Sequence, residues 1–237
     1  MSAGEAPLGP PVTARDWQPP ARKVMTGRTV AMAPLDPAAQ GGSLYALSQG
    51  ADPEGQLWTY MPYGPFADPA AFHAWLERCA ASDDPLFFAV IDTTAGGATG
   101  KASGMASYLR ITPAHGVIEI GHIWFAPAMQ RTPQATEAIY LLAREAFDGL
   151  GYRRLEWKCN ALNTASRRAA LRFGFSFEGI FRQHMVVKGR NRDSAWFAML
   201  DHDWPRIRAN FERWLAPDNF DAEGQQKVAL SDLNQTG

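Results

Sequence analysis

One stretch constrains this chain more than any other. Met129-Gln130-Arg131-Thr132-Pro133-Gln134-Ala135-Thr136-Glu137-Ala138 runs straight into an amphipathic segment between two β runs. Apolar residues at Ala135, Ala138, Ile139, Leu142, Ala143, Ala146, Phe147 and Leu150 recur at the spacing of a helix with one buried face. Thr132 is placed to cap that helix, Pro133 suits its first turn, and Gly151 stands where a helix stops. Val117 to Phe125 before it and Arg154 to Asn160 after it read as strands. Together they form a βαβ unit whose helix start can grip an anion.

The rest of the composition sets bounds. A chain of 237 residues that is 46% hydrophobic can bury one good core, whereas two full domains would be crowded. The net charge is -1 with no long basic run, so nucleic acid is not expected as a partner. Two cysteines, Cys79 and Cys159, are too few for a disulfide framework or a zinc site, and no metal is expected. There is no basic-then-apolar leader layout and no apolar run of membrane-spanning length. A reducing cytoplasm is the expected location, with no membrane association.

In chain order, residues 1–21 form a Pro-rich arm with little to pack, expected to be disordered. A first strand is predicted near Thr29 to Met32, then a weak helix over Ala38 to Leu47, interrupted by Gly41-Gly42. An aromatic loop, Trp58 to Phe66, precedes a helix that starts at Asp68-Pro69 and buries Phe72, Trp75, Leu76 and Cys79. Leu86 to Asp92 and Gly104 to Ile111 pair as a hairpin through a Gly- and Thr-rich turn over Thr93 to Thr99. Along Val117–Phe125, residues 117, 119, 121, 123 and 125 point one way and 118, 120, 122 and 124 the other, unless Gly121 bulges. Asn163 caps a short helix ending at Phe173-Gly174. Phe175 to Lys188, broken near Glu178-Gly179, then hairpins into Ser194–Leu200. A final amphipathic helix over residues 205–216 carries Ile207, Phe211, Trp214 and Leu215 and is expected to pack on or near the domain, and residues 217–237 read as a loose polar tail. That helix and the late hairpin are the expected surfaces of a possible homodimer.

Four segments in this order carry a resemblance. They are Glu119-Ile120-Gly121-His122, Gln130-x-x-Pro133-x-Ala135-Thr136-Glu137-Ala138, Asn163-x-x-Ser166, and Phe173-Gly174-Phe175-x-x-Glu178-Gly179. The chain resembles the GNAT superfamily of acyl-CoA transferases over residues 22–204, most closely its RimJ/RimL branch. The resemblance implies an α/β (α+β) domain with a mixed, strongly twisted central sheet flanked by helices. A cofactor cleft would splay open between the fourth and fifth strands. It also implies acetyl-CoA as cosubstrate, no metal, and a primary amine as acceptor, either a small molecule or a protein N-terminus. Transfer would be by direct attack in a ternary complex. Alternatives are a succinyl-CoA or other acyl-CoA transferase of the same fold, and a non-catalytic module that binds or senses coenzyme A.

By the same resemblance, backbone groups of Ile123, Trp124 and Phe125 would hold the pantetheine. The phosphates would rest on the Gln130, Arg131, Thr132, Gln134, Ala135 and Thr136 segment. Pro133 stands where the family has a glycine, and proline has no N–H to donate, which removes one contact. Asn163 would cap its helix or touch the pantetheine, Arg167 and Arg168 would reach the phosphates or form a solvated face, and Ser166 would sit by the thioester sulfur. Glu119, among mostly apolar strand neighbours, is the candidate base, the alternative being an ordinary cross-strand ion pair on an exposed sheet face. His122 is a rival base or a packed core histidine. Many members carry a tyrosine acid where this chain has Ala170, so Ser166 or solvent must protonate the leaving thiolate. Cys159 lies near the expected thioester, and a buried strand cysteine is ordinarily inert core. The Trp58–Phe66 aromatics either line the acceptor pocket or plug the core, and Arg182, Gln183 and His184 are further candidates to face the acceptor.

Overall fold

The computed structural model describes residues 8–13, 15–94 and 101–235. Most of the Gly- and Thr-rich turn lies outside them. Eight strands form one sheet in the order β1-β2-β3-β4-β5-β6-β8-β7. They are β1 (Met25–Thr26), β2 (Val30–Pro34), β3 (Leu86–Asp92), β4 (Ala102–Thr112), β5 (Val117–Phe125), β6 (Arg154–Asn160), β7 (Ser176–Val187) and β8 (Arg190–Leu200). Every pairing is antiparallel except β5 with β6, the two strands of the βαβ unit. Because the short β1 adds a strand, the expected fourth and fifth strands are β5 and β6.

The parallel pairing covers little of either strand. It runs from Val117 opposite Arg154 to Ile120 opposite Trp157 and stops there. Beyond it, Gly121–Phe125 stays on β4 and Lys158–Asn160 stays on β8. The two strands therefore splay, and the inner edge of each lacks a ladder partner among the described residues over that length. The divergence begins at a bulge: the β4–β5 register shifts between Met105 and Ser107, and His122 has φ +51. A bulge interrupts side-chain alternation. Ile118 and Ile120 pack on one face, and after the bulge Ile123 and Phe125 join them there. His122 stacks on Tyr63 and packs at a tilt against Phe87, and Trp124 packs with Met105 on the other face, the face of Glu119. Strict alternation, which set His122 opposite Glu119, is thus corrected by the bulge that Gly121 made conceivable.

Helices cover both faces. On one, α3 (Pro133–Arg144) buries Ala135, Ala138, Ile139 and Leu142 against the sheet, with Thr132 Oγ1 accepting from Ala135 N–H at 3.3 Å as the cap. Each large apolar side chain so buried contributes about 1.5–3 kcal/mol. Also here lie α4 (Thr164–Arg172), α5 (Trp204–Leu215) and α6 (Leu230–Gln235). On the other face, α1 (Pro37–Tyr45) and α2 (Pro69–Ala81) cover β2 to β5, and the α2 stripe is Phe72, Trp75, Leu76 and Cys79 as spaced in the sequence. Among the described residues, no β6 or β8 side chain joins the α1–α2 cluster on that face.

Three readings of the chain ends change. Trp17, in the arm expected to have little to pack, docks on the core, its indole N–H donating to the Gly151 carbonyl at 2.7 Å. The final helix α5 is not a free surface, since Trp204, Ile207, Phe211, Trp214 and Leu215 are all buried. The tail is anchored too: Leu230 and Leu233 are buried, and the Asn234 side chain donates to the Arg172 carbonyl at 2.9 Å. In each case a few apolar or amphipathic groups in a polar stretch sufficed, because the core offered a place for them.

Candidate active site

Two sub-sites flank the point where β5 and β6 part. The first is the start of α3. Gln130 closes its loop with a side-chain N–H to the Phe125 carbonyl at 3.1 Å, and its own amide donates to Ala126. Arg131 takes a left-handed turn at φ +63. Ala135 N–H is engaged by the Thr132 cap, so that amide of the expected segment is already used. The amides of Arg131, Thr132 and Gln134 have no partner among the described residues. With the positive end of the α3 dipole behind them, they make an anion-accepting corner.

Side chains around this corner are tied into the fold. Thr136 Oγ1 accepts from Arg172 at 3.0 Å. Arg172 also lies 4.7 Å from the Trp214 ring, and burial lowers its pKa to about 10. It was not among the expected residues, yet it links α4 to the first turns of α3. Arg167, which was, instead donates to the Ala161 carbonyl at 3.3 Å and lies over Phe177. Glu137, inside the motif, is buried and accepts from the amides of Arg28 and Thr29 at 2.7 Å, and from the Thr29 hydroxyl; it pins β2 rather than facing the cleft.

On α4, Asn163 is the N-cap, accepting from the Ser166 amide at 3.0 Å. The Ser166 hydroxyl accepts from Trp157 Nε1 at 3.0 Å and exerts a lowering pull on the pKa of the Cys159 thiol. Burial nevertheless raises the pKa of Cys159, which suits inert packing rather than a nucleophile. Ala170 is fully buried in the core beneath.

The second sub-site is the uncovered valley on the other face. Glu119, 3% exposed, places Oε2 2.7 Å from Lys158 Nζ and 3.7 Å from Arg110 Nε. Burial raises its pKa, against the lowering pull of Lys158. The expected alternative, a cross-strand ion pair, is therefore present, but the pair is buried rather than solvated. Lys158 and Arg110 also sit over Trp196, 4.4 and 5.6 Å from its ring centre. His184 packs against Trp196 and bonds Ser194 at 2.9 Å, so of the three residues expected to face the acceptor it lies in the valley. Gln183 forms a bulge held by Asp193.

His122 closes the valley toward α2. Its Nδ1 is 2.9 Å from the Tyr63 hydroxyl, and burial, reinforced by Arg192, lowers its pKa to about 4. It is a packed, neutral imidazole. Trp58 is fully buried among Tyr63, Phe66, Trp75 and Trp124, so the aromatic loop plugs the core and hands Tyr63 to the site. Lys188, at the tip of the β7–β8 hairpin, donates to the Trp58 carbonyl at 2.8 Å and ties the valley walls together.

Residues 42–176 match the family described as an acetyltransferase (GNAT) domain. The chain belongs to the GNAT acetyltransferase family. It is 51% identical to a GCN5-related N-acetyltransferase from Brucella melitensis, with a TM-score of 0.88 over 93% of this chain and 97% of that one. It is 43% identical to a probable GNAT-family acetyltransferase from Chromobacterium violaceum, with a TM-score of 0.76 over 86% of this chain and all of that one. RimL, a ribosomal L7/L12 α-N-protein acetyltransferase in complex with coenzyme A, is 17% identical at a TM-score of 0.63 and shares the fold. No curated protein matches the sequence. The RimJ/RimL branch is thus one of several GNAT neighbours.

Against this family frame, Lys158, Arg110, Arg192 and Trp196 are the valley residues that sequence reasoning missed. A signal existed for one of them. Glu156, Lys158 and Asn160 alternate as the polar side of β6, and its parallel register with β5 brings Lys158 to Glu119. Among the described residues no group of His, Cys, Asp and Glu could hold a metal ion, and no helix is long and apolar enough to cross a membrane.

Proposed function

We propose that this GNAT protein is an acyl-CoA-dependent N-acyltransferase that uses acetyl-coenzyme A and a primary amine. The observation that carries the reading is the splay of β5 from β6 beyond Ile120 and Trp157, beside a helix start with three unengaged amides. The donor set suits a diphosphate: amides of Arg131, Thr132 and Gln134, the helix dipole, and the exposed Arg131 side chain. Ile123, Trp124 and Phe125 offer the unpaired strand edge for the pantetheine amides. Bound acetyl-coenzyme A supplies an acyl carbon activated as a thioester.

The chain's own residues then move protons. Glu119, its pKa raised by burial, takes the proton from the acceptor ammonium, directly or through water. Lys158 and Arg110 keep it ionised between turnovers. Ser166 is the hydroxyl on α4 able to donate to the leaving sulfur, since Trp157 donates to its oxygen. Asn163 fixes Ser166 through the cap. Both cysteines are free and buried, in keeping with action in a reducing cytoplasm. The acceptor is either a protein N-terminus, as in the RimJ/RimL branch, or a small amine. A second copy of the chain would find its surface on β7, where Ile180, Phe181, Met185 and Val186 are exposed.

Calorimetric titration with coenzyme A, and thiol release from acetyl-coenzyme A over a panel of amines, test the reading. Saturable binding with amine-dependent release is expected. Absence of binding overturns it, and tight binding with no release on any amine makes the protein a coenzyme A sensor instead.

A further inference from the structure

We infer that the acceptor amine also carries an anionic group, a carboxylate or phosphate, which Arg192 and the Trp196 indole N–H receive in the valley beside Glu119. This rests on the acyltransferase reading and names the substrate class of that site. The ground is a surplus of unmatched donors. Arg192 Nε and Trp196 Nε1 are both buried without a hydrogen-bond partner, and Arg192 has no ion pair among the described residues. Desolvated donors are seldom left unmatched in a folded protein unless something else fills the place.

The charges nearby have one sign in excess. Arg110, Lys158 and Arg192 surround a single carboxylate, Glu119, which Lys158 and Arg110 already hold. Glu156, beside it in the parallel register, is engaged by Arg154 at 2.8 Å, and Arg154 in turn grips Glu178. His122 and His184 both have lowered pKa values, through burial and then through these cations, so neither adds charge at neutral pH. The Cys159 thiol is pushed up by burial and stays protonated. An entering anion would therefore meet a guanidinium able to grip it with two parallel N–H bonds, with the Trp196 indole donor farther along the same face of β8.

The position separates this anion from the donor's phosphates. Arg192, Ser194 and Trp196 alternate along one face of β8, opposite Ala195 and Phe197, which pack with the α3 core. The valley is thus on the far side of the sheet from the unengaged amides at the α3 start. Glu119 would meet the amine and the cations its anionic neighbour. An uncharged amine would leave Arg192 desolvated and unpaired, which is how such a site discriminates.

Calorimetric titration of inorganic phosphate, and separately of malonate, into protein saturated with coenzyme A tests this, because coenzyme A keeps both anions off the α3 corner. Saturable binding is expected, weakened about tenfold or more in Arg192→Gln and several-fold in Trp196→Phe, and partly kept in Arg192→Lys. Arg78→Gln, on the exposed side of α2, should bind as the parent does. Thermal melts confirm that each variant is folded. No saturable binding, or binding indifferent to Arg192→Gln in folded protein, overturns the inference. A second arm compares acetyl- with succinyl-coenzyme A: if Arg192→Gln selectively lowers kcat/KM for the succinyl donor and spares phosphate binding, the cation serves the acyl group and the inference falls. Failure to bind coenzyme A would strike the acyltransferase reading alone, since the phosphate titrations run without it still report on Arg192.

Discussion

The α3 corner and the Glu119 valley lie on opposite faces of one sheet, and they are built in opposite ways. The corner is local: a capped helix start, a left-handed residue and free amides, all within Gln130 to Thr136. The valley draws Glu119 from β5, Lys158 from β6, Arg192 and Trp196 from β8, and Arg110 from β4. Local sites bind through backbone dipoles that any sequence with the right turn can supply. The valley depends on which charges the topology juxtaposes and how deeply it buries them, so single side chains matter more there.

That contrast can be broken by mutation. Glu119→Gln should give the largest effect, a fall in turnover of about 10²- to 10⁴-fold, with coenzyme A affinity at the distant corner unchanged. Because Lys158 and Arg110 would lose their counter-ion, the variant should also melt lower, by several kcal/mol at most. A comparable fall in coenzyme A affinity would show that the two faces are not independent.

His122 gives the next effect, on stability. Its folded pKa, about 4, lies below that of a free histidine near 6.5, so the unfolded chain binds the proton more readily. The stability that the neutral imidazole carries is therefore complete above pH 6.5 and drains away as pH falls toward 4. The loss should be on the order of 2–3 kcal/mol across that window, measured by urea titration at each pH. In His122→Phe that portion of the slope should vanish; an unchanged slope would mean that other groups carry it.

Ala170→Tyr restores the residue type that many relatives use as an acid. Ala170 is fully buried, so the added ring should overpack the core at about 1–3 kcal/mol and bring no rise in kcat. A gain in kcat without loss of stability would refute the buried placement. The smallest effect is expected at the corner. Pro133→Ala returns one amide donor and should tighten coenzyme A by about 0.5–1.5 kcal/mol, read by calorimetry. No change there would mean that the phosphates do not reach the first turn of α3.

Much of this architecture was legible in residue order. Helix starts at Asp68 and Thr132, the α2 stripe, the strands at Leu86–Asp92, Val117–Phe125 and Arg154–Asn160, and the break near Gly179 all rest on neighbours along the chain. Ser166 and Asn163 came from the motif, and the structure adds their hydrogen bonds. Arg167, by contrast, reads in sequence as well as Arg172 does as a phosphate ligand. Which of the two approaches α3 depends on side-chain direction along α4 and on Trp214 from α5, which no local pattern encodes.

By itself, then, the amino-acid order determined the elements, the capped helix start and the family, because capping and periodicity act within a few residues. Tertiary structure alone decided that His122 turns to the side of Glu119, that Trp17 and Leu230 dock, and that three cations converge on one buried carboxylate. Those outcomes depend on strand register, a bulge and desolvation, and each of these exists only once distant segments have packed together.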